Sequence, residues 1–434
     1  MKRVRFAPSP TGYLHVGNIR IALINYLFAK KHNAEFFLRI DDTDFKRSKQ
    51  EYVDGILEDL TWLDIKTDKT FRQSDRLDRY NAVQNQLIDK GILYPCYETE
   101  EELETKRKIQ LASGKPPVYV KASKADIERC IHEGRKPHYR FELPHEEVKW
   151  NDHIQGEVHF PKQTMSDPIL IREDGSYLYT FTSVVDDIDY DITHIFRGKD
   201  HISNTAVQIC ILKAVCELAD KPFQMEFGHT SFLLDQKGGP LSKRNQDISI
   251  RALREQNIHP MTIISYLFHA GTPHSIKPQY TLEECLDEFH IKNYGGASPK
   301  FSTDELKILN AKLYHGAPYD WVSKNTTLTP EQWDIVKFNI GTAEDIQQWE
   351  AILSSDFKFE VLDKDYAKEA FALLPTSLNW KEWFQAIKEK TGRKGKEAVM
   401  PLRLILTGKE HGPEMQELIT LLGREKIVKR LNSV

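Results

Sequence analysis

Two short segments of the 434-residue sequence carry side chains that could bind the phosphates of a nucleotide. The first is RFAPSPTG followed by HVGN, within residues 5–18, where His15 and Asn18 can donate hydrogen bonds to phosphate or ribose. Gly17 leaves room for a ligand to lie against the backbone. The second, LSKR at 241–244, carries two cations that could neutralise a triphosphate as charge builds on departing pyrophosphate. Each segment alone is more typical of a local cap or a solvated surface, so this chemistry requires that the fold bring them together.

The hydropathy pattern places the first segment in a nucleotide-binding α/β domain. Residues 4–6 alternate like a strand, apolar residues from Ile19 to Leu27 recur on one face of a helix, and residues 36–40 indicate a second strand. Strand, loop, helix and strand form a βαβ unit, which predicts a parallel sheet that binds its ligand at the carboxyl edge. Since the loop lacks the glycine pattern of dinucleotide oxidoreductases, that class is disfavoured.

The rest of the chain predicts an insertion and a helical tail. Charged helical segments alternate with proline-rich connections between about residues 95 and 180, and the pattern is almost entirely helical from about residue 250 onward. Further helices are predicted at 50–63, 75–91 and 203–219, and further strands at 192–196 and 223–227. The expected fold is α/β, with a Rossmann-like parallel-sheet domain split by an insertion and followed by an all-α C-terminal region.

Composition narrows the class of protein. A net charge of −4 argues against a protein that coats nucleic acid, although it leaves room for a local basic face. Five cysteines are too few for a disulfide framework in a chain of this length, and no apolar leader follows Met1. No apolar run approaches the length of about 18 residues that a membrane-spanning helix needs. A soluble, cytoplasmic, multidomain protein is expected.

Four motifs, in this order, resemble those of class I aminoacyl-tRNA synthetases: RFAPSPTG–HVGN, RIDDTD, VVDDIDYDITHIFRGKDH and LSKR. More narrowly, they resemble the bacterial glutamyl-tRNA synthetase family, with HVGN at the HIGH element and PLSKR at the KMSKS element. The resemblance implies an enzyme that activates L-glutamate with ATP to glutamyl-adenylate, releasing pyrophosphate. The glutamyl group would then pass to the 3′-terminal adenosine of tRNA(Glu), with tRNA(Gln) left open as a second acceptor.

The same resemblance implies a domain organisation and a set of ligands. ATP with Mg²⁺, glutamate and tRNA are the expected ligands, zinc and a membrane are not, and a monomer is expected. The implied domains are a Rossmann-like catalytic domain at 1–95 and 186–250, an acceptor-binding insertion at 96–185, a helical stem-contact domain at 251–318 and a helical anticodon-binding domain at 319–434.

Roles for individual residues also follow from the resemblance. A substrate with two carboxylates and one ammonium suits two arginines and one acid, because guanidinium is a permanently charged, fork-shaped donor. The implied glutamate-binding residues are Arg5, Ser9, Asp41, Tyr179, Ser183 and Arg197, with Arg5, Tyr179 and Ser183 at the side-chain carboxylate, Ser9 and Asp41 at the ammonium, and Arg197 at the α-carboxylate. The implied ATP-binding residues are Ala7, Pro8, His15, Gly17, Asn18, Leu241, Ser242, Lys243 and Arg244, of which His15, Lys243 and Arg244 are catalytic.

Several positions depart from the family pattern. Asp41 and Ser183 stand where the family often has Glu and Asn, and Pro240 replaces the first Lys of the KMSKS element. Some relatives carry a zinc site of Cys-x-Cys and Cys-x-His type in the insertion. Here Cys96 is followed by Tyr97 and Glu98, Ser123 lies near the place of a later Cys, and Cys130-x-His132 is typical of helix, so a four-ligand zinc site is not expected.

Three other functions share some features with this sequence. A glutaminyl-tRNA synthetase shares the catalytic motifs but is expected to have a β-barrel C-terminal part. A glutamyl-queuosine enzyme lacks an anticodon-binding region, whereas this chain continues well beyond residue 315. A non-catalytic tRNA-binding paralogue is supported only by Ser183 and Pro240, while Arg5, Arg197 and the other motif residues argue against it.

Overall fold

The computed structural model describes residues 1–144, 146–161, 164–239, 241, 248–354, 357 and 363–432. The chain divides into two units. The first comprises Met1–Leu253, Ile263–Lys277 and Thr281–Ser302, and the second comprises Arg254–Thr262, Pro278–Tyr280 and Thr303–Val434. Across these described ranges, no helix combines the length and the apolar character needed to cross a bilayer.

The strands belong to the first unit. They are β1 (Arg3–Phe6), β2 (Glu35–Ile40), β3 (Lys69–Arg72), β4 (Leu93–Cys96), β5 (His138–Phe141), β6 (Val148–Asp152), β7 (Gly156–Phe160), β8 (Ile169–Ile171), β9 (His194–Gly198) and β10 (Glu226–Thr230). The helices up to residue 288 are α1 (Val16–Lys31), α2 (Gln50–Trp62), α3 (Leu77–Asp89), α4 (Glu100–Ala112), α5 (Lys124–His132), α6 (Tyr179–Asp189), α7 (Ile202–Leu218), α8 (Ile250–Glu255), α9 (Pro260–His269) and α10 (Leu282–Glu288).

The main sheet is parallel, as the βαβ pattern predicts. Its strand order is β10-β9-β1-β2-β3, and each neighbouring pair is parallel. Chain order therefore runs in one direction from β1 to β3 and in the other from β9 to β10. In open sheets of this kind, the reversal point opens a crevice at the carboxyl ends of the strands, where ligands bind.

Helix α1 departs from the single apolar face that its spacing indicates. Almost the whole helix from Val16 to Ala29 is buried, including the polar Arg20 and Asn25. The cause is that α1 packs against β1, β2 and β9 and also against α10, so it is covered on more than one side. The buried polar groups are satisfied by backbone carbonyls: Asn25 donates to Phe196, and Arg20 donates to Ala270 and Ser231.

Between the two halves of the parallel sheet, the chain forms smaller sheets and helices. Strands β4, β5 and β8 make an antiparallel sheet, and β6 and β7 make a hairpin. Helix α6 runs across residue 185, where the sequence places the end of the insertion. The predicted strand at 223–227 is observed three residues later, as β10, because Glu226 pairs with His194 at the start of β9. Segment ends are the part of a local pattern that tertiary pairing most often shifts.

The described residues of the second unit from Thr303 onward form helices. They are α11 (Thr303–Gly316), α12 (Tyr319–Val322), α13 (Pro330–Val336), α14 (Ala343–Leu353), α15 (Lys364–Ala372), α16 (Trp380–Thr391), α17 (Lys396–Thr407) and α18 (Met415–Asn432). Trp333, Trp349 and Trp383 are fully buried in a single apolar core, and Trp321 and Trp380 pack against it. The predicted all-α C-terminal region is confirmed.

Candidate active site

A cavity of about 520 Å³ lies at the carboxyl edge of the parallel sheet. Its walls include the last residues of β1, β9 and β10, which are Phe6, Gly198 and Thr230. Most of the side chains that the sequence singles out also line it: Arg5, Ala7, Pro8, Ser9, His15, Gly17, Asn18, Asp41, Tyr179, Arg197 and Leu241. The fold therefore brings the RFAPSPTG–HVGN, RIDDTD and FRGKDH motifs to one place.

Two groups of predicted residues are not among those that line the cavity. Ser183 is fully buried in α6, and its Oγ accepts a hydrogen bond of 2.8 Å from Gln208. Ser242, Lys243 and Arg244 lie outside the described residues, as does Pro240. Leu241 is described and lines the cavity, so the segment that carries these residues reaches the site at that position.

His15 caps the helix that begins at the cavity. Its Nδ1 accepts hydrogen bonds from the backbone N–H groups of Gly17 (3.1 Å) and Asn18 (3.4 Å), and the Asn18 side chain accepts one from the His15 backbone (3.2 Å). Because Nδ1 is an acceptor here, the neutral imidazole carries its proton on Nε2. The sequence presents local capping and donation to a ligand as alternative roles of His15. In the structure, the two roles use different nitrogens of the same ring.

Gly17 is required for this cap. A Cβ atom at position 17 would lie 2.9 Å from Cε1 and 3.0 Å from Nδ1 of His15. Any other residue would therefore push the imidazole off the helix N-terminus. The sequence-based argument for Gly17 invoked an approaching ligand, and the structure adds the ring of His15 as the nearer reason.

Arg5 and Asp41 belong to a buried network of charges. Asp187 in α6 accepts two hydrogen bonds of 3.1 Å from Nε and Nη2 of Arg5. Arg39 lies behind them and donates to Asp187 (2.9 Å) and to both oxygens of Asp41 (2.6 and 3.2 Å). Nη1 of Arg5 has no partner within the described residues. Arg5 is therefore held rigidly by one edge of its guanidinium while the other can bind a ligand.

The acids of this network differ in their titration. Burial raises the pKa of Asp41 to about 6, although Arg39 opposes the shift. Burial also acts on Asp187, but Arg5 and Arg39 outweigh it and hold the pKa of that carboxyl below its usual value. Asp187 thus stays ionised and neutralises the arginines, whereas Asp41 faces the cavity and gains most from a cationic ligand.

Arg197 differs from Arg5 and Arg39 in the partners of its guanidinium. Its Nη1 donates to the Tyr179 hydroxyl (2.9 Å), and its Nη2 donates to Thr205 (2.5 Å) and Gln208 (2.6 Å). Among the residues that the structure describes, no carboxylate forms an ion pair with Arg197, and its Nε is buried without a partner. Burial accordingly lowers the pKa of this guanidinium. A buried cation without a carboxylate of its own suits an anionic ligand.

A second layer of polar side chains orients Arg197. Thr205 lies 2.7 Å from Nε2 of His229, and Nδ1 of His229 lies 2.5 Å from Asp152; both His229 and Asp152 are buried. Burial lowers the pKa of His229, and Nδ1 of its ring faces the Asp152 carboxylate, while the Thr205 hydroxyl beside Nε2 also donates to the His201 carbonyl oxygen (3.0 Å). The relay links the charge of Asp152 to Arg197 without a direct ion pair.

Sequence reasoning missed this supporting layer. Asp187 lies within the VVDDID motif and Arg39 within RIDDTD, so acidic and basic residues inside these motifs were the available signal. For Asp152, Thr205 and His229 the sequence offers no comparable motif. Their role depends on contacts between distant parts of the chain.

Cys96 lies in the region of the insertion where some relatives carry a zinc site. Burial raises the pKa of the Cys96 thiol, and the Tyr119 hydroxyl lies 3.3 Å from its Sγ and 3.1 Å from Glu98. Zinc ligation needs a thiolate, which this environment disfavours. Cys130 lies in α5, as the sequence indicates.

A parallel sheet with a reversal point, a histidine-capped helix and a cavity lined by Arg5, Arg197 and Asp41 together define a class I aminoacyl-tRNA synthetase catalytic domain. Residues 1–308 match the family described as tRNA synthetases class I (E and Q), catalytic domain, and residues 367–434 match the anticodon binding domain. The chain is 46% identical to Glutamate--tRNA ligase 1 of Maricaulis maris (strain MCS10), over 99% of both chains. The chain belongs to the glutamate–tRNA ligase family.

Other relatives agree with this assignment. Identity is 45% with Glutamate--tRNA ligase 2 of Bartonella bacilliformis, over 99% of this chain and 100% of the relative. Among solved structures, a glutamate tRNA ligase from Elizabethkingia meningosepticum in complex with its amino acid has a TM-score of 0.76 and 25% identity, covering 100% of this chain and 98% of the other. The likeness extends over the whole chain.

Proposed function

We propose that the cavity at the carboxyl edge of the parallel sheet is the site where this glutamate–tRNA ligase forms glutamyl-adenylate. The enzyme ligates glutamate to tRNA, and ATP, as its Mg²⁺ complex, is the second substrate of the activation step. The observation that carries the proposal is Arg197, a buried cation that lines the cavity without a carboxylate partner among the described residues. Its natural ligand is a carboxylate supplied by the substrate.

Three charged residues of the cavity, Arg197, Arg5 and Asp41, match the three charges of glutamate. Arg197 binds the α-carboxylate, held in place by Tyr179 and Thr205. Arg5 binds the side-chain carboxylate through the edge that Asp187 leaves open. Asp41, together with the neighbouring Ser9, accepts the ammonium group. Ser183 contributes indirectly, because it holds Gln208, and Gln208 accepts a hydrogen bond from Arg197.

ATP is bound where α1 begins. The first turn of a helix presents unpaired N–H groups and a positive dipole to phosphate, and His15 adds its Nε2 proton as a donor. Ala7, Pro8, Gly17, Asn18 and Leu241 complete the wall. For Ser242, Lys243 and Arg244, which lie outside the described residues, the role rests on the sequence motif: their charges and donors stabilise the departing pyrophosphate.

The reaction needs positioning and electrostatics more than acid–base catalysis. The α-carboxylate of glutamate attacks the α-phosphorus of ATP, and pyrophosphate leaves. A hydroxyl of the terminal adenosine of tRNA then attacks the carbonyl carbon of the mixed anhydride, and AMP leaves. Holding the carboxylate on Arg197 and the phosphates on the α1 N-terminus places the reacting groups together, which is the main source of rate in such a transfer.

The remaining parts of the chain serve tRNA in this proposal. Residues 96–185 bind the acceptor end, 251–318 contact the stem, and 319–434 read the anticodon, which agrees with the family match at 367–434. The helical character of the described residues beyond 303 disfavours a glutaminyl enzyme with a β-barrel tail. We include tRNA(Gln) as a second acceptor and a monomer as the active form.

The test is aminoacylation with labelled glutamate, ATP and Mg²⁺ against two purified transcripts, tRNA(Glu) and tRNA(Gln). Charging of either one supports the function, and the pair defines the tRNA range. Arg197→Gln should lower kcat/KM for glutamate by about 100-fold, since it removes a charged hydrogen-bonding group. Arg47→Gln is the matched control, because Arg47 is exposed and, among the described residues, forms its ion pair with Asp44. Failure of the folded wild-type protein to charge either transcript would overturn the proposal.

A further inference from the structure

A group of metal-ligating side chains lies at the other end of the parallel sheet. His194 is the first residue of β9, Glu226 is the first residue of β10, and His153 lies in the turn between β6 and β7. One ligand atom from each of the three lies within 4.8 Å of the other two. His194 precedes Arg197 by three residues of a strand, or about 10 Å, so this group is separate from the glutamate and ATP cavity.

The carboxylate of Glu226 faces both imidazoles. Its Oε2 lies 2.6 Å from Nε2 of His153, and its Oε1 lies 3.6 Å from Nε2 of His194. The first distance is a hydrogen bond, and the second is too long for one. Nε2 of His194 is buried and has no hydrogen-bond partner within the described residues. An orphaned buried nitrogen of this kind calls for an explanation.

The partners of His194 determine what its Nε2 can bind. The Thr193 hydroxyl donates to the Arg3 carbonyl oxygen, and it lies 2.8 Å from Nδ1 of His194. When that proton stays hydrogen-bonded to the Arg3 carbonyl oxygen, Nδ1–H of His194 is the donor to Thr193, and Nε2 carries only its lone pair. The buried lone pair of His194 then faces the exposed carboxylate of Glu226, and a cation shared between them removes their mutual repulsion. A fixed Nδ1 donor is also the usual companion of a metal-bound Nε2.

We propose that His153, His194 and Glu226 form a binding site for a divalent transition metal of the zinc type. Two imidazole nitrogens and one carboxylate are a donor set that zinc accepts, with water in the fourth position. Zinc bonds of about 2.0–2.2 Å place tetrahedral ligands about 3.3 Å apart, and the two observed separations from Glu226 lie on either side of that value. Metal binding requires that Nε2 of His153, which lies 2.6 Å from Glu226, present its lone pair to the ion.

The bound ion would join two parts of the first unit. His153 belongs to the predicted insertion and already donates from its backbone N–H to the carbonyl oxygen of Phe227 (2.8 Å). Its ring also packs against those of His194 and Phe196. A metal at this point therefore fastens the β6–β7 hairpin to β9 and β10, and we expect it to raise the melting temperature of the enzyme.

The test is a metal titration of the full chain after a chelator has removed any bound metal. Zn²⁺ is added in competition with a chromophoric chelator, and Co²⁺ binding is followed by visible absorption. The expected result is one site per chain, with Co²⁺ absorption bands typical of a low coordination number. Glu226→Gln and His153→Gln should each weaken Zn²⁺ at least about tenfold and abolish the bands, since each removes one of three ligands. Both residues are partly exposed, so these variants should fold, and the buried His194 is left unchanged.

His159→Gln is the matched control. His159 forms a similar pair with Glu147, at 2.8 Å on the same hairpin, but among the described residues no second imidazole completes a group there. This variant should bind Zn²⁺ as the wild type does. The proposal is overturned if the wild type binds no Zn²⁺, or if Glu226→Gln and His153→Gln bind it as tightly as His159→Gln does, which would place the metal elsewhere on the chain.

Discussion

The raised pKa of Asp41 leads to a pH dependence that ordinary aspartates do not produce. Asp41 lines the cavity, and burial raises its pKa to about 6. The ionised form is the one that accepts the ammonium group of glutamate. As the pH falls through 6, the free enzyme therefore loses the charge that binds the substrate. The experiment lowers the pH of the assay, and Asp41→Asn is the variant measured beside the wild type.

The magnitude follows from the pKa. With a value of about 6, Asp41 is about 90% ionised at about pH 7 and about 10% ionised at about pH 5. The value of kcat/KM for glutamate should therefore fall about tenfold over this interval. An aspartate with the usual pKa of about 3.9 would change kcat/KM by less than about 10%, and the side-chain carboxyl of glutamate adds less than about a fifth. Because bound ammonium favours ionised Asp41, kcat should fall less than kcat/KM.

The assay is glutamate-dependent aminoacylation at saturating ATP and tRNA between about pH 5 and about pH 8, with circular dichroism at each pH as a check on folding. Asp41→Asn should have a low kcat/KM that no longer falls over this range. His201, which also lines the cavity, has a pKa lowered by burial to about 4, so it stays neutral throughout. A flat wild-type profile would refute the desolvation argument. A tenfold fall that survives in Asp41→Asn would assign the titration to another group.

Three further predictions concern the charges around the site. Asp187→Asn leaves two buried arginines with less compensation and should destabilise the first unit by about 3–5 kcal/mol, seen as a lower melting temperature. Thr205→Val removes a hydrogen bond to Arg197 and should raise the KM for glutamate about tenfold or more in aminoacylation assays. Lys243→Ala should reduce adenylate formation far more than tRNA binding, measured by pyrophosphate exchange in the presence of tRNA and by filter binding.

Each of these has a control in the chain. Asp189→Asn removes a carboxylate at the partly exposed end of the same helix and should cost much less than Asp187→Asn; equal losses would contradict the burial argument. Thr205→Ser keeps the hydroxyl and should restore the KM. For Lys243→Ala, equal losses of activation and tRNA binding would remove the residue from the pyrophosphate site.

Much of the site was predictable because it is carried by contiguous motifs. Arg5 lies near the end of β1, His15 caps α1 and Gly17 lies in the first turn of that helix, and this strand–loop–helix topology places all three at the carboxyl edge of a parallel sheet. The same reasoning placed Asp41 after β2 and Arg197 near the end of β9. Local periodicity predicts the ends of segments less well. The shift of β10 is an example, because its pairing with β9 decides where β10 begins.

Other features depend on neighbours that are distant in sequence. Arg5 and Arg197 look alike in the sequence, yet Arg5 pairs with Asp187, whereas no described carboxylate pairs with Arg197. Ser183 lies one layer behind the cavity wall, bonded to Gln208, because α6 turns its side chain towards α7.

The sequence by itself determined the family, the parallel sheet, the helical C-terminal region and many of the residues that line the cavity, since motif order and local hydrophobic spacing encode these features. Tertiary structure alone decided which charges are neutralised, which acid has a raised pKa, and that His153, His194 and Glu226 meet. The physical reason is that desolvation, ion pairing and ligand convergence depend on the distances and burial that long-range packing creates, and those quantities have no local signature.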